Sequence, residues 1–222
     1  SVYQFNNRPV SEDEANINAK LSDYGETKLL AEDIMDLNIP PDQKRLILRP
    51  RVIYGIGDRI LLPRILRLVR GNFFLCPLRK QIKTSLTHID NVAYAIDLFI
   101  AKKNSAPLQI YNIADAEPYS LREILLQLAS AIEKRKLILL PIPATVLDIF
   151  LIPYSKTGII KNISQPVLRS TNTNTVLDIS RITKELNYIP IKSFYNSYSE
   201  IAEWIDSFGG SKNYLQQLPY AP

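Results

Sequence analysis

The sequence has few of the residues that build metal centres and disulfide frameworks. Among its 222 residues are one cysteine, Cys76, and one histidine, His88. A lone cysteine cannot form a disulfide within the chain, which is typical of proteins in a reducing compartment. These two residues cannot supply a His/Cys metal site, and no cluster of carboxylates has ligand spacing. We therefore expect no bound metal, and we interpret Cys76, within FFLCPL, as a buried thiol rather than a nucleophile.

Glycine is also scarce, with seven residues in the chain. No strand-like segment is followed by G-x-G-x-x-G, the pattern with which a strand–helix turn holds the phosphates of a dinucleotide. YGIGD at 54–58 comes closest, but it lacks the third glycine and the spacing that opens a helix. The sequence as given therefore shows no phosphate site for a dinucleotide.

Long apolar runs and blocks of like charge are missing as well. The stretch 137–154 contains Asp148 and three prolines, so we do not expect it to span a membrane. The net charge is +5, from 27 basic and 22 acidic residues, and the basic residues are scattered, so we expect no nucleic-acid partner. Together with Cys76, these features predict a cytoplasmic protein. Membrane contact through the apolar segment 137–153 is the alternative to a simple hydrophobic wall there.

Strand-like and helix-like segments alternate along the chain, which predicts an α/β fold with mostly parallel pairing. The helices carry local start and stop signals such as N-caps, capping boxes and terminal glycines. The predicted elements, in chain order, are a helix at 25–36, a buried strand at 45–50, a loop at 55–58, an amphipathic helix at 59–72 closed by Gly71, an extended segment at 72–78, a strand at 84–90, a helix N-capped by Asp90, a strand at 108–114, a helix with Ser120 and Glu123 as capping box, a strand at 135–141, a short helix within 174–190 and a final helix ended by Gly209.

Tyr24 and Lys28 lie four residues apart at the start of the first helix, in LSDYGETKLLAED. At this spacing both side chains project from one helix face. A cationic amine beside a phenol favours the phenolate. Such a tyrosine can exchange a proton with an alcohol or carbonyl oxygen, which is the acid–base part of hydride transfer to or from nicotinamide. The pair alone is a common pattern, and an exposed tyrosine beside a solvated lysine is the simpler interpretation.

The order of several motifs along the chain is more specific than this pair. In chain order the motifs are SVY, P-x-x-E at Pro9 and Glu12, YGETKLLAE, LRPRVIYGIGD, LTHIDNVAYAI, YNIADAEPYSLREI and LDISRITKELNYIP. With these motifs the chain resembles the extended short-chain dehydrogenase/reductase superfamily, within it the NAD-dependent epimerase/dehydratase group, and most of all the 3β-hydroxysteroid dehydrogenase-like branch. The interval from Tyr3 to Tyr24 also fits this family.

The resemblance covers only the back part of the family fold, so it implies the C-terminal portion of an enzyme. It implies an incomplete Rossmann-like half, a doubly wound parallel sheet, built from 1–55 with 85–114 returning to it. The segments 56–84 and 115–222 would form a small substrate-binding α/β region. The family's glycine-rich loop and catalytic Ser or Thr would precede Ser1, so we expect the isolated chain to be inactive. The full enzyme would use NAD or NADP and could form a homodimer.

Residue roles follow from the resemblance at matching positions only. Tyr24 would be the catalytic acid/base, and Lys28 would activate it and hold the nicotinamide ribose. Pro50, Arg51 and Val52 would lie against the nicotinamide end of the cofactor. Arg49 and Arg51 are weaker candidates; a strand-end salt bridge is the alternative for Arg49, and a turn-forming role is the alternative for Pro50. We assign His88 and Asp90 a structural role, at a strand exit and a helix cap, with substrate contact as the alternative.

Two departures from the family pattern bear on the substrate. Nucleotide-sugar members usually have Asn at the position of Val52 and Arg at the position of Thr84, and both are absent here. A sugar nucleotide would therefore lose two polar partners for its diphosphate. This favours an oxidoreductase that interconverts a secondary alcohol and a ketone on a hydrophobic, sterol-like or acyl-chain substrate. A nucleotide-sugar epimerase or dehydratase and a non-catalytic NAD(P)-binding scaffold protein or remnant are the alternatives.

Overall fold

The computed structural model describes residues 2–5, 7–15, 23–40, 42–76, 81–102, 108–142 and 173–217. Most of the stretch 137–153, for which we predicted a hydrophobic wall or a membrane contact, lies outside the described residues. The helices are Asp23–Asn38 (α1), Leu61–Leu66 (α2), Ile89–Ala101 (α3), Leu121–Ile132 (α4), Ser180–Leu186 (α5), Phe194–Asp206 (α6) and Ser211–Gln217 (α7), with a 3₁₀ turn at Glu12–Glu14. The strands are Arg45–Pro50 (β1), Ile53–Tyr54 (β2), Val69–Arg70 (β3), Phe73–Cys76 (β4), Lys83–Thr84 (β5), Thr87–His88 (β6), Leu108–Ile113 (β7), Tyr119–Ser120 (β8) and Ile138–Pro141 (β9).

The chain divides into two compact units. The first comprises Ser1–Ile53, Ser85–Pro118 and Asn174–Ser193, and the second comprises Tyr54–Thr84, Tyr119–Thr173 and Phe194–Pro222. Residues 174–193 thus lie with the first unit rather than with the rest of 115–222. The reason is a long-range pairing, because the amide of Asp178 donates to the carbonyl of Val10 at 2.9 Å. The functional roles assigned to the two regions stay predictions.

The first unit is built on two parallel strands. β1 pairs with β7 in a register that runs from Arg45 opposite Leu108 to Pro50 opposite Ile113. Helix α3 contacts β1, and α5 contacts both β7 and α3. Strands that alternate with covering helices in this way confirm the predicted α/β fold class. The core residues of this face are Ala95, Tyr111, Ile113, Ile182, Leu186 and Tyr188.

The second unit has its own small sheets. β3 and β4 form an antiparallel hairpin, and β9 pairs with β4 in parallel. β5 pairs with β8 in an antiparallel arrangement. Helix α4 packs against α6, each burying one apolar stripe, as the helical spacing of their apolar residues requires. Cys76 at the end of β4 is buried, which agrees with its interpretation as a core thiol.

Three local predictions differ from the structure. The helix expected at 59–72 ends at Leu66, because Val69 and Arg70 pair with the next strand through a tight turn at Gly71, which has φ +54°. The N-cap of α3 is His88, whose Nδ1 accepts from the amide of Asp90 at 3.2 Å. Ser120 does precede α4, but its side chain makes no capping hydrogen bond. A longer-range pairing replaces the local signal at Val69 and Arg70, and a neighbouring polar group replaces it at the start of α3.

Candidate active site

A cavity of about 460 Å³ lies in the first unit. This volume falls within the range of about 300–1,000 Å³ that is typical of small-molecule sites. It is lined by consecutive residues of β1 and by one face of α1. The lining residues are Val2, Tyr3, Tyr24, Lys28, Ala31, Glu32, Met35, Leu46, Ile47, Leu48, Arg49, Pro50, Arg51 and Leu177.

Tyr24 and Lys28 both line this cavity from the first two turns of α1. Gly25 and Leu29 are buried under the helix, so the residues one position earlier, Tyr24 and Lys28, lie together on an adjacent face. The Nζ atom of Lys28 is 5.4 Å from the centre of the Tyr24 ring. Tyr24 is 64% exposed and Lys28 is also exposed. The pair is therefore open to a ligand.

Arg49 is held at the side of the cavity by four hydrogen bonds. Its Nε and Nη2 donate to the two carboxylate oxygens of Glu32 at 3.0 and 2.6 Å, in a bidentate ion pair. Its Nη1 donates to the Tyr3 hydroxyl at 3.0 Å and to the Glu12 carbonyl at 2.9 Å. The strand-end salt bridge suggested for Arg49 is thus present. With all these contacts, its guanidinium ties β1 to α1 and to the N-terminal segment.

Tyr3 continues this network into the core. Its hydroxyl donates to Oδ1 of Asn112 at 2.6 Å, and the Nδ2 of Asn112 donates to the Val10 carbonyl at 2.8 Å. Burial raises the pKa of Tyr3, an effect that the hydrogen bond from Arg49 opposes. Burial alone would lower the pKa of Arg49, but the bonds to Glu32 and Tyr3 outweigh it and the pKa is raised. Tyr3 is therefore a neutral donor beside a permanently charged guanidinium.

The three residues predicted to lie against the nicotinamide are at the carboxyl end of β1. Pro50 and Arg51 line the cavity. Val52 is not among the lining residues, and its carbonyl accepts from the amide of Thr87 at 2.8 Å. Arg51 stacks on Phe5, with 5.3 Å from its guanidinium carbon to the ring centre. Burial lowers the pKa of Arg51.

His88 and Asp90 stand at the start of α3, beside a buried polar cluster in the first unit. The amide of His88 donates to Oδ1 of Asp115 at 2.9 Å, and Nδ2 of Asn91 donates to the same oxygen at 2.7 Å. Asn91 also accepts from the amides of Ile191 and Lys192, each at 2.9 Å. These bonds fix the start of α3 to distant segments, which fits the structural role predicted for His88 and Asp90.

Sequence reasoning missed two polar residues of this region, Glu32 and Asn112. Glu32 follows Lys28 by four residues, as Lys28 follows Tyr24, so helical spacing could have placed it on the same face. Asn112 had no such signal, because its partners Tyr3 and Val10 are about a hundred residues away in sequence. Among the residues that the structure describes, no group of His, Cys, Asp or Glu could hold a metal ion, and no helix is long and apolar enough to cross a membrane.

The fold matches that of several nucleotide-sugar enzymes. No protein-family model matches the sequence. The solved structure of UDP-glucuronic acid 4-epimerase from Bacillus cereus in complex with NAD superposes with a TM-score of 0.65 at 20% identity, covering 93% of this chain and 58% of the epimerase. MoeE5 in complex with UDP-glucose and NAD gives a TM-score of 0.65 at 19% identity, covering 93% of this chain and 62% of MoeE5. At these identities the likeness establishes the fold.

Two curated proteins are similar in sequence. The uncharacterized protein YbjS of Escherichia coli is 22% identical over 200 residues, which are 85% of this chain and 58% of YbjS. The 2-alkyl-3-oxoalkanoate reductase of Stenotrophomonas maltophilia is 32% identical over 114 residues, which are 49% of this chain and 34% of the reductase. The chain thus spans less than two thirds of the length of the relatives it matches.

Proposed function

We propose that the chain is part of an NAD(P)-dependent oxidoreductase that interconverts a secondary alcohol and a ketone. The observation that carries this proposal is the placement of Tyr24 and Lys28 on one face of α1, 5.4 Å apart from ammonium to ring centre, in one cavity that runs along β1 to Arg51, just beyond its carboxyl end. In open α/β sheets, ligands bind outside the carboxyl ends of the strands. A phenol and an amine at such a place can exchange a proton with a bound alcohol.

The roles of the residues follow from their chemistry. A bound nicotinamide supplies the hydride acceptor or donor for the alcohol carbon. Tyr24 takes the hydroxyl proton when the alcohol is oxidised and returns it to the oxygen when the ketone is reduced. Lys28 places its ammonium beside the ring of Tyr24 and would hydrogen-bond the ribose hydroxyls. Pro50 and Arg51, which line the cavity at the end of β1, would border the nicotinamide, whereas Val52 lies outside the lining.

The described residues fit one end of such a cofactor. The cavity of about 460 Å³ can hold a nicotinamide and ribose together with the reacting part of a substrate. The sequence as given has no glycine-rich loop for the pyrophosphate. Our proposal therefore assigns the nicotinamide end to this chain. It leaves NAD and NADP as equal candidates, because the residue that reads the ribose 2′ position lies about 20 residues beyond the glycine-rich turn, and the sequence as given has no such turn.

A hydrophobic substrate is supported by the lining of the cavity. Apart from the polar residues near Tyr24 and Arg49, the lining consists of aliphatic and thioether side chains, which prefer an acyl or ring system over a sugar. The partial similarity to a 2-alkyl-3-oxoalkanoate reductase agrees with an acyl-chain substrate. The sterol-like branch of the family remains the second option within this class. The apolar lining residues are Val2, Ala31, Met35, Leu46, Ile47, Leu48 and Leu177.

A nucleotide-sugar epimerase or dehydratase is the second candidate. The structural likeness to enzymes solved with UDP-sugars and NAD favours it. Val52 and Thr84 weigh against it, because the family resemblance places an Asn and an Arg there in nucleotide-sugar members. The same Tyr–Lys pair would serve both reactions. Identifying the substrate would therefore distinguish the two candidate functions.

The test begins with the protein as its cells make it. An immunoblot against EIAEWIDSF at 200–208 compares its mass with the 25.3 kDa of this chain. A heavier band identifies the longer protein as the material to assay, and a band at this mass makes the chain itself the material. Turnover is then followed with NADH and NADPH on 3-oxo acids and with NAD+ on UDP-glucuronic acid.

We expect Tyr24→Phe to lower kcat by about 10²–10⁴-fold, the usual contribution of acid–base catalysis. Lys28→Met should lower kcat and raise KM for the cofactor, because it loses both the activation and the ribose contact. The matched controls are Tyr195→Phe and Lys212→Met, which change exposed side chains of the second unit. A wild-type kcat in Tyr24→Phe would refute the proposal, and conversion of UDP-glucuronic acid without net cofactor oxidation would favour the second candidate.

A further inference from the structure

Arg51 differs from the other arginine of the cavity in its partners. Among the residues that the structure describes, no carboxylate forms an ion pair with it, and its Nε is buried without a hydrogen-bond partner. Arg49, two residues earlier on β1, has both oxygens of Glu32 and two further acceptors. Leaving a buried charge unpaired is costly. An unpaired guanidinium in the wall of a ligand cavity indicates that its partner is a group of the bound ligand.

The position of Arg51 suits such a partner. It follows directly after the carboxyl end of β1 and lines the same cavity as Tyr24 and Lys28. Its guanidinium lies over the Phe5 ring, at 5.3 Å from the ring centre. This cation–π contact limits the motion of the side chain while leaving its donors available. Burial lowers the pKa of Arg51, yet an arginine stays protonated at neutral pH.

We propose that Arg51 binds an oxyanion of the ligand in this cavity and so sets its specificity for an acidic ligand. The planar fork of a guanidinium matches a carboxylate or a phosphate through two parallel hydrogen bonds. Two sources have this chemistry, a carboxylate on the substrate and a phosphate of the dinucleotide. The inference rests on the proposed function for the nature of the ligand, but its own test is a binding measurement.

The experiment measures dissociation constants by titration calorimetry on the protein as its cells make it. The probes are 3-oxooctanoate, its methyl ester, NAD+ and inorganic pyrophosphate. The variants are Arg51→Gln, which removes the charge, and Arg51→Lys, which keeps the charge without the fork. The matched control is Arg64→Gln, which removes the charge of an exposed arginine on α2.

If the partner is a substrate carboxylate, Arg51→Gln weakens binding of 3-oxooctanoate by about 10- to 100-fold, the range for a charge-assisted hydrogen bond. Binding of the methyl ester and of NAD+ then stays unchanged, and Arg51→Lys falls between. If the partner is a cofactor phosphate, the loss appears with NAD+ and pyrophosphate instead. The proposal is overturned if Arg51→Gln binds every probe as Arg64→Gln does, or if no probe binds the wild type.

These outcomes are separable from those of the proposed function. Binding of 3-oxooctanoate that depends on Arg51, without reduction by NADH or NADPH, would refute the oxidoreductase and leave the oxyanion site standing. Reduction that depends on Tyr24 but not on Arg51 would support the oxidoreductase and refute the oxyanion site. Because Arg51 has no ion pair to lose among the described residues, we expect Arg51→Gln to fold, and Arg51→Lys provides a second reading if it does not.

Discussion

The ion pair between Glu32 and Arg49 offers the sharpest test of the packing of the first unit. Both side chains are largely buried, with 16% and 9% exposed, and two hydrogen bonds of 2.6 and 3.0 Å join them. Replacing Glu32 by Ala removes the only carboxylate that pairs with Arg49 among the described residues. The guanidinium would then keep the Tyr3 hydroxyl and the Glu12 carbonyl but no opposite charge.

Breaking a buried ion pair by removing one partner costs about 3–5 kcal/mol. We expect the lower end, about 3 kcal/mol, because Arg49 keeps two of its four hydrogen bonds. An exposed pair such as Lys134–Asp206, with 66% and 51% of the side chains exposed, is worth about 0–1 kcal/mol. The difference between these two figures is what the experiment must resolve.

The assay is urea unfolding followed by circular dichroism, which reports the free energy of unfolding from the midpoint and slope. The control is Asp33→Ala, which removes an exposed acid from the same helix and should change stability by less than about 0.5 kcal/mol. A double variant, Glu32→Leu with Arg49→Met, should recover much of the loss, since no unpaired charge remains. If Glu32→Ala costs no more than Asp33→Ala, the pair is not a structural tie and our account of Arg49 is wrong.

Two further predictions concern the rest of the molecule. Burial raises the pKa values of Tyr111, Tyr188 and Tyr214, that of Tyr214 to about 12. Because the unfolded chain loses these protons first, stability should fall as the pH rises from about 10 to 12, and Tyr214→Phe should flatten this decline in urea titrations at pH 8 and 11. Asn91→Ala should cost at least about 3 kcal/mol, because it removes the acceptor of two amides and the donor to a carbonyl and to the Asp115 carboxylate. The exposed Asn38→Ala should cost under about 0.5 kcal/mol; equal losses would contradict this.

Local signals in the sequence predicted much of the first unit. Apolar residues at helical spacing predicted a helix over 25–36, and the structure has it at Asp23–Asn38. The apolar run at 45–50 predicted β1 with its observed bounds. The spacing of four between Tyr24 and Lys28 placed both on one helix face. Each of these three predictions depends on interactions between residues close together in the sequence. Such local patterns can be recognised from the sequence alone.

The tertiary structure decided the features that depend on distant partners. The segment 59–72 has helical spacing throughout, yet Val69 and Arg70 leave the helix because pairing with Phe74 and Phe73 satisfies their backbone.

The sequence by itself therefore determined the α/β class, the first helix and the face that carries Tyr24 and Lys28. Only the fold shows that Arg49 is held by Glu32, Tyr3 and Glu12 while Arg51 lacks a carboxylate partner among the described residues. The two arginines stand two positions apart in LRPR and look alike in the sequence. That spacing puts both side chains on one face while a strand continues, but β1 ends at Pro50, and beyond it the neighbours are set by contacts between segments that the sequence keeps far apart.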